Sequence, residues 1–167
     1  MSKLVTENLN FENLVMWGKL DSKIEKGELV ITCENDWSMM TSDKQFKLPL
    51  KIEMKLKTTG VFCVYFRRAK LLMNWPNNES ELWLSDPLSG RFNTYQNRGS
   101  LPKNKYLDVT WIIEKDSMTV LVGNELRVMD NAFGYVNHKK PIEDWVRIST
   151  DRGSTIRYKD VKVSYLK

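Results

Sequence analysis

Tyr65, Arg67, Glu81 and Trp83 fall at alternate positions of two short segments, Gly60–Arg67 and Glu81–Asp86. Together these residue types can hold a sugar. An aromatic ring offers an apolar face to the C–H face of a pyranose, a guanidinium forks onto paired oxygens, and a carboxylate accepts from hydroxyls. The intervening residues, Phe62, Val64 and Phe66 in one segment and Leu82 and Leu84 in the other, are apolar. Successive strand side chains point to opposite faces, so each segment has one face to bury and one bearing rings and polar groups. A loop-covered sheet, or an Arg67–Glu81 ion pair, would use the same residues. Trp37 and Trp75 stand in the Asn-rich stretches Asn35–Ser38 and Asn74–Asn78. Such loops gather binding residues, although a loop tryptophan also serves to pin its loop to the sheet.

The elements that must position these residues are short strands. Lys23–Ile31 reads as a hairpin turning at Gly27, and Phe46–Thr58 as a longer strand with Pro49 at its start. In that strand Lys51, Lys55 and Lys57 alternate with Ile52, Met54 and Leu56, the pattern of a solvated face that also discourages edge pairing. Ala69–Ser80 reads as a loop and Arg91–Asn97 as a short strand. Leu107–Lys115, Met118–Val122, Leu126–Met129, Trp145–Thr150 and Thr155–Leu166 read as further strands, with Asp130–Asp144 the longest irregular piece. Trp17, Trp111 and Trp145 are assigned to the core. No segment sustains a helical period, and Gly, Pro, Asn and Asp punctuate the chain at regular intervals. Both features predict an all-β antiparallel sandwich.

A chain of 167 residues, 41% hydrophobic and 28% charged, is expected to form one soluble domain over residues 1–167. No apolar run approaches the roughly 18 residues of a membrane span, and the polar N-terminus is not a signal peptide, so no membrane partner and a cytoplasmic location are expected. Cys33 and Cys63 read as buried, unbridged thiols. With His138 the only histidine, no metal site is expected, and no nucleotide motif implies a cofactor. The net charge of +5 is mild, but eight Lys or Arg against two acids lie between Asp43 and Lys70. That segment could draw an acidic partner.

The order of signals carries a resemblance. Asn10-Phe11-Glu12-Asn13-Leu14 leads to Trp17, Gly27-Glu28-Leu29 and Ile52-Glu53-Met54-Lys55. Gly60-Val61-Phe62, Glu81-Leu82-Trp83-Leu84-Ser85-Asp86 and Trp111-Ile112-Ile113 follow, and Ile156-Arg157-Tyr158-Lys159-Asp160-Val161-Lys162-Val163 closes the chain. This layout resembles the concanavalin A-like lectin/glucanase jelly-roll superfamily, nearest to its laminin-G-like and keto-disaccharide-hydrolase-like members. The resemblance implies two curved antiparallel sheets with carbohydrate bound on the concave face. It carries Tyr65, Arg67, Glu81 and Trp83 into that groove and adds Asn93 or Tyr95 from the next strand. Laminarinase-type members place paired carboxylates on one strand, about 5–5.5 Å apart in retaining enzymes. Here that strand has Glu81, then Trp83, with Asp86 on the other parity.

Three functions follow as expectations. The first is non-catalytic carbohydrate binding through Tyr65, Arg67, Trp75, Glu81, Trp83, Asn93 and Tyr95. The second is a glycoside hydrolase using Glu81 with Asp36, Asp86 or Asp130. The third is a protein-binding, ligand-sensing or nucleic-acid-binding sandwich using the Lys44–Lys70 face, nucleic acid being the partner least expected. Oligomeric state and the identity of the sugar lie beyond this reading. So does whether the Asp130–Asp144 loop plugs the groove.

Overall fold

A computed structural model describes residues 3–34, 38–131, 137–151 and 153–167. These residues form two antiparallel sheets. The first has eight strands. Its path runs β13 (Glu125–Asp130), β12 (Met118–Val122), β11 (Leu107–Ile113), β6 (Leu50–Thr58), β15 (Ser154–Leu166), β4 (Glu28–Cys33) and β3 (Asp21–Glu25), and β1 (Leu4–Asn8) also pairs with β15. The second has seven strands. They are, in order, β10 (Phe92–Tyr95), β9 (Leu82–Ser85), β8 (Ala69–Met73), β7 (Phe62–Phe66), β14 (Glu143–Thr150), β5 (Ser38–Lys47) and β2 (Val15–Trp17). Phe11–Asn13 make one 3-10 turn, capped by the Asn10 side chain. The all-β, two-sheet jelly-roll sandwich expected from the sequence is the observed architecture.

Alternation builds the core between the sheets. Ile52, Met54 and Leu56 of β6 face Phe62, Val64 and Phe66 of β7 across it, joined by Leu82, Leu84, Trp111, Ile148 and Tyr158. β6 is an interior strand paired with β11 and β15, not an edge. Its outward Lys55 lies opposite Asp108 on one side and Asp160 on the other, so this lysine is balanced by acids. In β15, a register shift between Tyr158 and Asp160 lets Ile156, Tyr158, Val161 and Val163 all turn inward.

The structure corrects several expectations, among them the single strand over Phe46–Thr58, which breaks at Leu48–Pro49 between β5 and β6. Residues 69–73 are a strand, not part of a loop, because Arg67 and Arg68 make a tight turn that carries no Gly, Pro or Asn signal. Leu71 and Met73 of that strand enter the main core, and Leu72 enters a second, smaller cluster on the sheet's other side. Trp17 and Trp145 are not core residues. They are 63% and 38% exposed, because Val146 and Ile148 take the inward parity of β14, and Trp17 lies on edge strand β2. Trp111 is fully buried, as expected.

Candidate functional site

The face of the seven-stranded sheet turned away from the core carries the candidate site. Cross-strand register assembles it. Val15 pairs with Thr41, Thr41 with Arg147, Arg147 with Tyr65, and Tyr65 with Lys70. Ser85 pairs with Phe92 one hairpin further on. Side chains directly opposite share a face, so these residues form one row across the sheet. A second row, Cys63, Leu72, Trp83 and Thr94, runs beside it.

Part of the second row is covered. Val61, Cys63 and Leu72 form a buried cluster against which Tyr65, Trp75 and Trp83 pack. Trp75 arrives on a loop anchored by Asn74, whose backbone sits at φ 55°, in the left-handed region that asparagine tolerates. The buried Asn74 amide donates to the Gly60 and Leu101 carbonyls at 3.1 and 3.2 Å, and its Oδ1 accepts from Leu101 N–H at 2.7 Å. Among the described residues, the Trp75 loop lies over this face. Residues 132–136 of the long irregular piece lie outside the described residues, as do Asp36 and Trp37.

Beside that cover is a cavity of about 350 Å³. Its aromatic lining is Tyr65, Trp83 and Phe92, its cations are Arg67, Arg68 and Lys70, and Ser85 and Gly90 form part of the wall. Trp83 is held between two rings. Phe92 stacks on it at 4.5 Å and 5° from parallel, and Trp75 tilts against it at 5.1 Å. Its Nε1–H is buried without an acceptor from the described protein atoms. Phe92 itself is 53% exposed. Lys70 Nζ stands 5.6 Å from the centre of the Tyr65 ring, within cation–π range. Burial and the adjacent Cys63 thiol push the Tyr65 phenol well above its ordinary pKa, so it stays neutral. Burial likewise raises Cys63 to about 11.

The Asp86–Arg91 turn makes one wall. Asp86 is buried, and its Oδ1 accepts from the backbone N–H groups of Leu88 and Ser89, both at 2.8 Å. This holds the chain so that Gly90, at φ 74°, lies under the Arg68 stem, where an added Cβ would stand 3.6 Å from Arg68 Cβ. The Arg68 guanidinium reaches the Leu88 carbonyl at 3.4 Å, and Ser85 Oγ donates to the Arg68 carbonyl at 2.9 Å. Asp86 thus caps its own turn.

The other expected site residues divide. Tyr65, Trp83 and Arg67 meet at the cavity, with Arg67 at the tip of the β7–β8 turn rather than on a strand. Glu81 precedes β9 and accepts from the Asn78 and Gln96 side-chain amides at 3.0 and 2.8 Å, outside the cavity lining. The chain packs on its carbonyl through Gly99, where a Cβ would approach to 2.0 Å. Asn93 and Tyr95 lie on the opposite, core-facing side, opposite Leu84 and Leu82. There both donate to the Asp130 carboxylate. That placement removes Asn93, Tyr95 and Asp130 from the Trp83 face. Phe92, Arg68 and Lys70 were missed. Phe92 has the parity of Thr94, which only the Ser85 register identifies as outward. His138 is exposed. Among the described residues no three His, Cys, Asp or Glu side chains converge as a metal would require.

A second cavity of about 240 Å³ lies on the same face. Val15, Trp17, Asp43, Trp145 and Arg147 line it. Arg147 is paired with Asp144 at 2.8 Å, and its direct cross-strand partner is Tyr65 of the first cavity.

No protein-family model matches the chain, and no curated protein matches it by sequence. Solved structures do match it in shape. The kappa-carrageenase of Pseudoalteromonas carrageenovora, solved with an oligotetrasaccharide of kappa-carrageenan, superposes with a TM-score of 0.63 at 8% identity over 99% of this chain and 96% of that one. A prokaryotic beta-1,3-1,4-glucanase (lichenase) derived from a mouse hindgut metagenome gives 0.62 at 10% identity over 96% and 98%. The carbohydrate-binding module CBM66 of Bacillus subtilis gives 0.56 at 13% identity over 94% of both chains. The chain shares the concanavalin A-like jelly-roll fold of these proteins, which include both enzymes and a binding module.

Proposed function

We propose that the chain is a carbohydrate-binding protein whose sugar sits in the Tyr65–Trp83–Phe92 cavity. One observation carries the reading. A concave, half-open cavity combines three aromatic rings with three cations on a sheet face turned away from the core, which is how a small-ligand site is lined. The exposed Phe92 ring supplies the platform, and Trp83 and Trp75 fix it from behind. The shared fold adds that architecture of this kind serves sugar recognition in CBM66 and in the carrageenase.

A binding role is favoured over hydrolysis. Glycosidic cleavage takes an acid and a second carboxylate flanking the bond, and the cavity's described lining holds no Asp or Glu. Glu81 is held by two amides, Asp86 by its turn and Asp130 by Asn93 and Tyr95.

A glycan array with wild type and Phe92→Ala tests the reading. Phe92 is exposed, so its truncation leaves the core intact. Binding of a defined glycan by the wild type, lost in the variant, is the expected result. Wild-type binding that Phe92→Ala does not change would remove the site from this cavity.

A further inference from the structure

The cavity's chemistry restricts what kind of sugar it can hold, on the reading just given. Hydroxyls donate and accept, so a site for a neutral sugar needs acceptors as well as donors. Arg and Lys are donors only. Beside the Tyr65 and Ser85 hydroxyls, the polar side chains that line this cavity are Arg67, Arg68 and Lys70, all of that kind, and no carboxylate joins them among the described lining residues. Two backbone carbonyls of the turn already accept hydrogen bonds. The Arg68 carbonyl takes the Ser85 hydroxyl and the Arg67 carbonyl takes Arg147 Nη1, at 2.9 and 3.4 Å. No acid among the described residues makes an ion pair with Arg67 or Arg68. A wall this rich in donor-only cations is best matched by oxygens that only accept.

Backbone conformation points the same way. Arg67 sits at φ 55°, in the left-handed region. Among the described residues, three of the other four non-glycine residues found there are asparagines, Asn74, Asn97 and Asn104, the fourth being Lys26. A residue with Cβ and a long side chain is strained in that conformation. Asparagine at 67 would relieve the strain and discard the guanidinium. The 86–91 turn meanwhile steadies the Arg68 stem through Gly90 and its guanidinium through Leu88. One arginine is thus held at a conformational cost and the other is braced, both at the rim of an aromatic cavity.

We infer that this site binds an anionic glycan, a sugar chain bearing carboxylate or sulfate, with Arg67, Arg68 and Lys70 gripping the anion while Phe92 and Tyr65 take the ring beside it. The outward row continues from Lys70 through Tyr65, Arg147 and Thr41 to Val15. At about 4.8 Å between strands it runs for roughly 19 Å, so a linear chain can cross Tyr65 and Arg147 into the Trp17–Trp145 cavity.

Titration calorimetry tests this with two matched pairs: oligogalacturonate against its methyl ester, and a sulfated galactan oligosaccharide against its desulfated form. Oligo-dT serves as a non-sugar polyanion. An anionic member should bind at least about tenfold tighter than its neutral partner at low salt, with the ratio shrinking as salt rises. Which pair shows this tells uronate from sulfate. Arg67→Asn should collapse the ratio while melting at or above the wild-type temperature, which separates lost recognition from lost folding. Equal affinity within both pairs would overturn the anionic inference and leave carbohydrate binding standing. A ratio unchanged by Arg67→Asn would overturn the role of the turn. Oligo-dT binding as tightly as the best glycan would assign the face to nucleic acid. Silence from every glycan would overturn both the inference and the reading on which it rests.

Discussion

The rings of Trp83 and Phe92 lie stacked, 4.5 Å apart and 5° from parallel, on the outward face of the seven-stranded sheet. One of the two is half-sequestered by Trp75 and the other is open to solvent. This pairing separates a ring that is held from a ring that can be covered by a ligand. Phe92→Ala should therefore cost about 1–3 kcal/mol of stability, the value of an aromatic pair beyond its area together with the burial of a half-exposed ring. Glycan affinity should fall at least about tenfold, roughly 1.4 kcal/mol. Urea denaturation alongside a binding isotherm checks both figures.

Asn74 anchors the Trp75 loop from inside the protein. Asn74→Ala removes three side-chain hydrogen bonds and leaves Leu101 N–H and two carbonyls short of partners. Each buried unpaired group costs about 1–3 kcal/mol, and alanine is strained at φ 55°. The urea midpoint should drop by the equivalent of about 3 kcal/mol, with Trp75 and Trp83 fluorescence shifting to the red. An unchanged midpoint would mean that the loop does not depend on this anchor.

Arg67→Asn should act in the opposite direction on stability. Relieving a left-handed conformation at a non-glycine residue is worth about 1 kcal/mol, and asparagine is enriched there. A rise in the denaturation midpoint of that size is expected, readable by thermal or chemical unfolding without any ligand.

High pH should weaken the fold. Cys63 is held at about 11 against 9.0 for a free thiol, and burial also raises Tyr65 and Tyr158. The folded state keeps these protons after the unfolded chain has released them. Stability is therefore fully present below about pH 9 and falls as pH rises through the folded values. Cys63→Ala should flatten part of the slope between about pH 9 and 11. The native Cys63 thiol should also react slowly with a disulfide reagent at pH 8, being protonated and buried.

The sandwich was legible in the sequence because alternation and turn residues mark most strands. The faces of β6, β7 and β9 were read correctly from period two alone. Errors cluster where parity crosses a connection. Asn93 and Tyr95 were given the Trp83 face, yet the six-residue Asp86–Arg91 turn sets Phe92 opposite Ser85. A one-residue difference in that turn would have reversed the assignment. β8 was missed because its turn is two arginines, with no punctuating residue. Trp145 is expected in the core, yet Val146 and Ile148 hold the inward parity of its strand. Of the site, Tyr65, Trp83 and Arg67 were visible as outward residues. The convergence of Arg68, Lys70 and Phe92 on them exists only in the folded register.

The most direct test follows the indole N–H signals of the six tryptophans by NMR while the protein is titrated with the best glycan from the array. Trp111 is fully buried between the sheets and serves as the internal control. The account predicts that the Trp83 signal shifts with saturation, that Trp75 follows it, and that Trp111 stays fixed. A bound glycan that leaves Trp83 unmoved while other tryptophans shift would contradict the assignment of the sugar to the Tyr65–Trp83–Phe92 cavity.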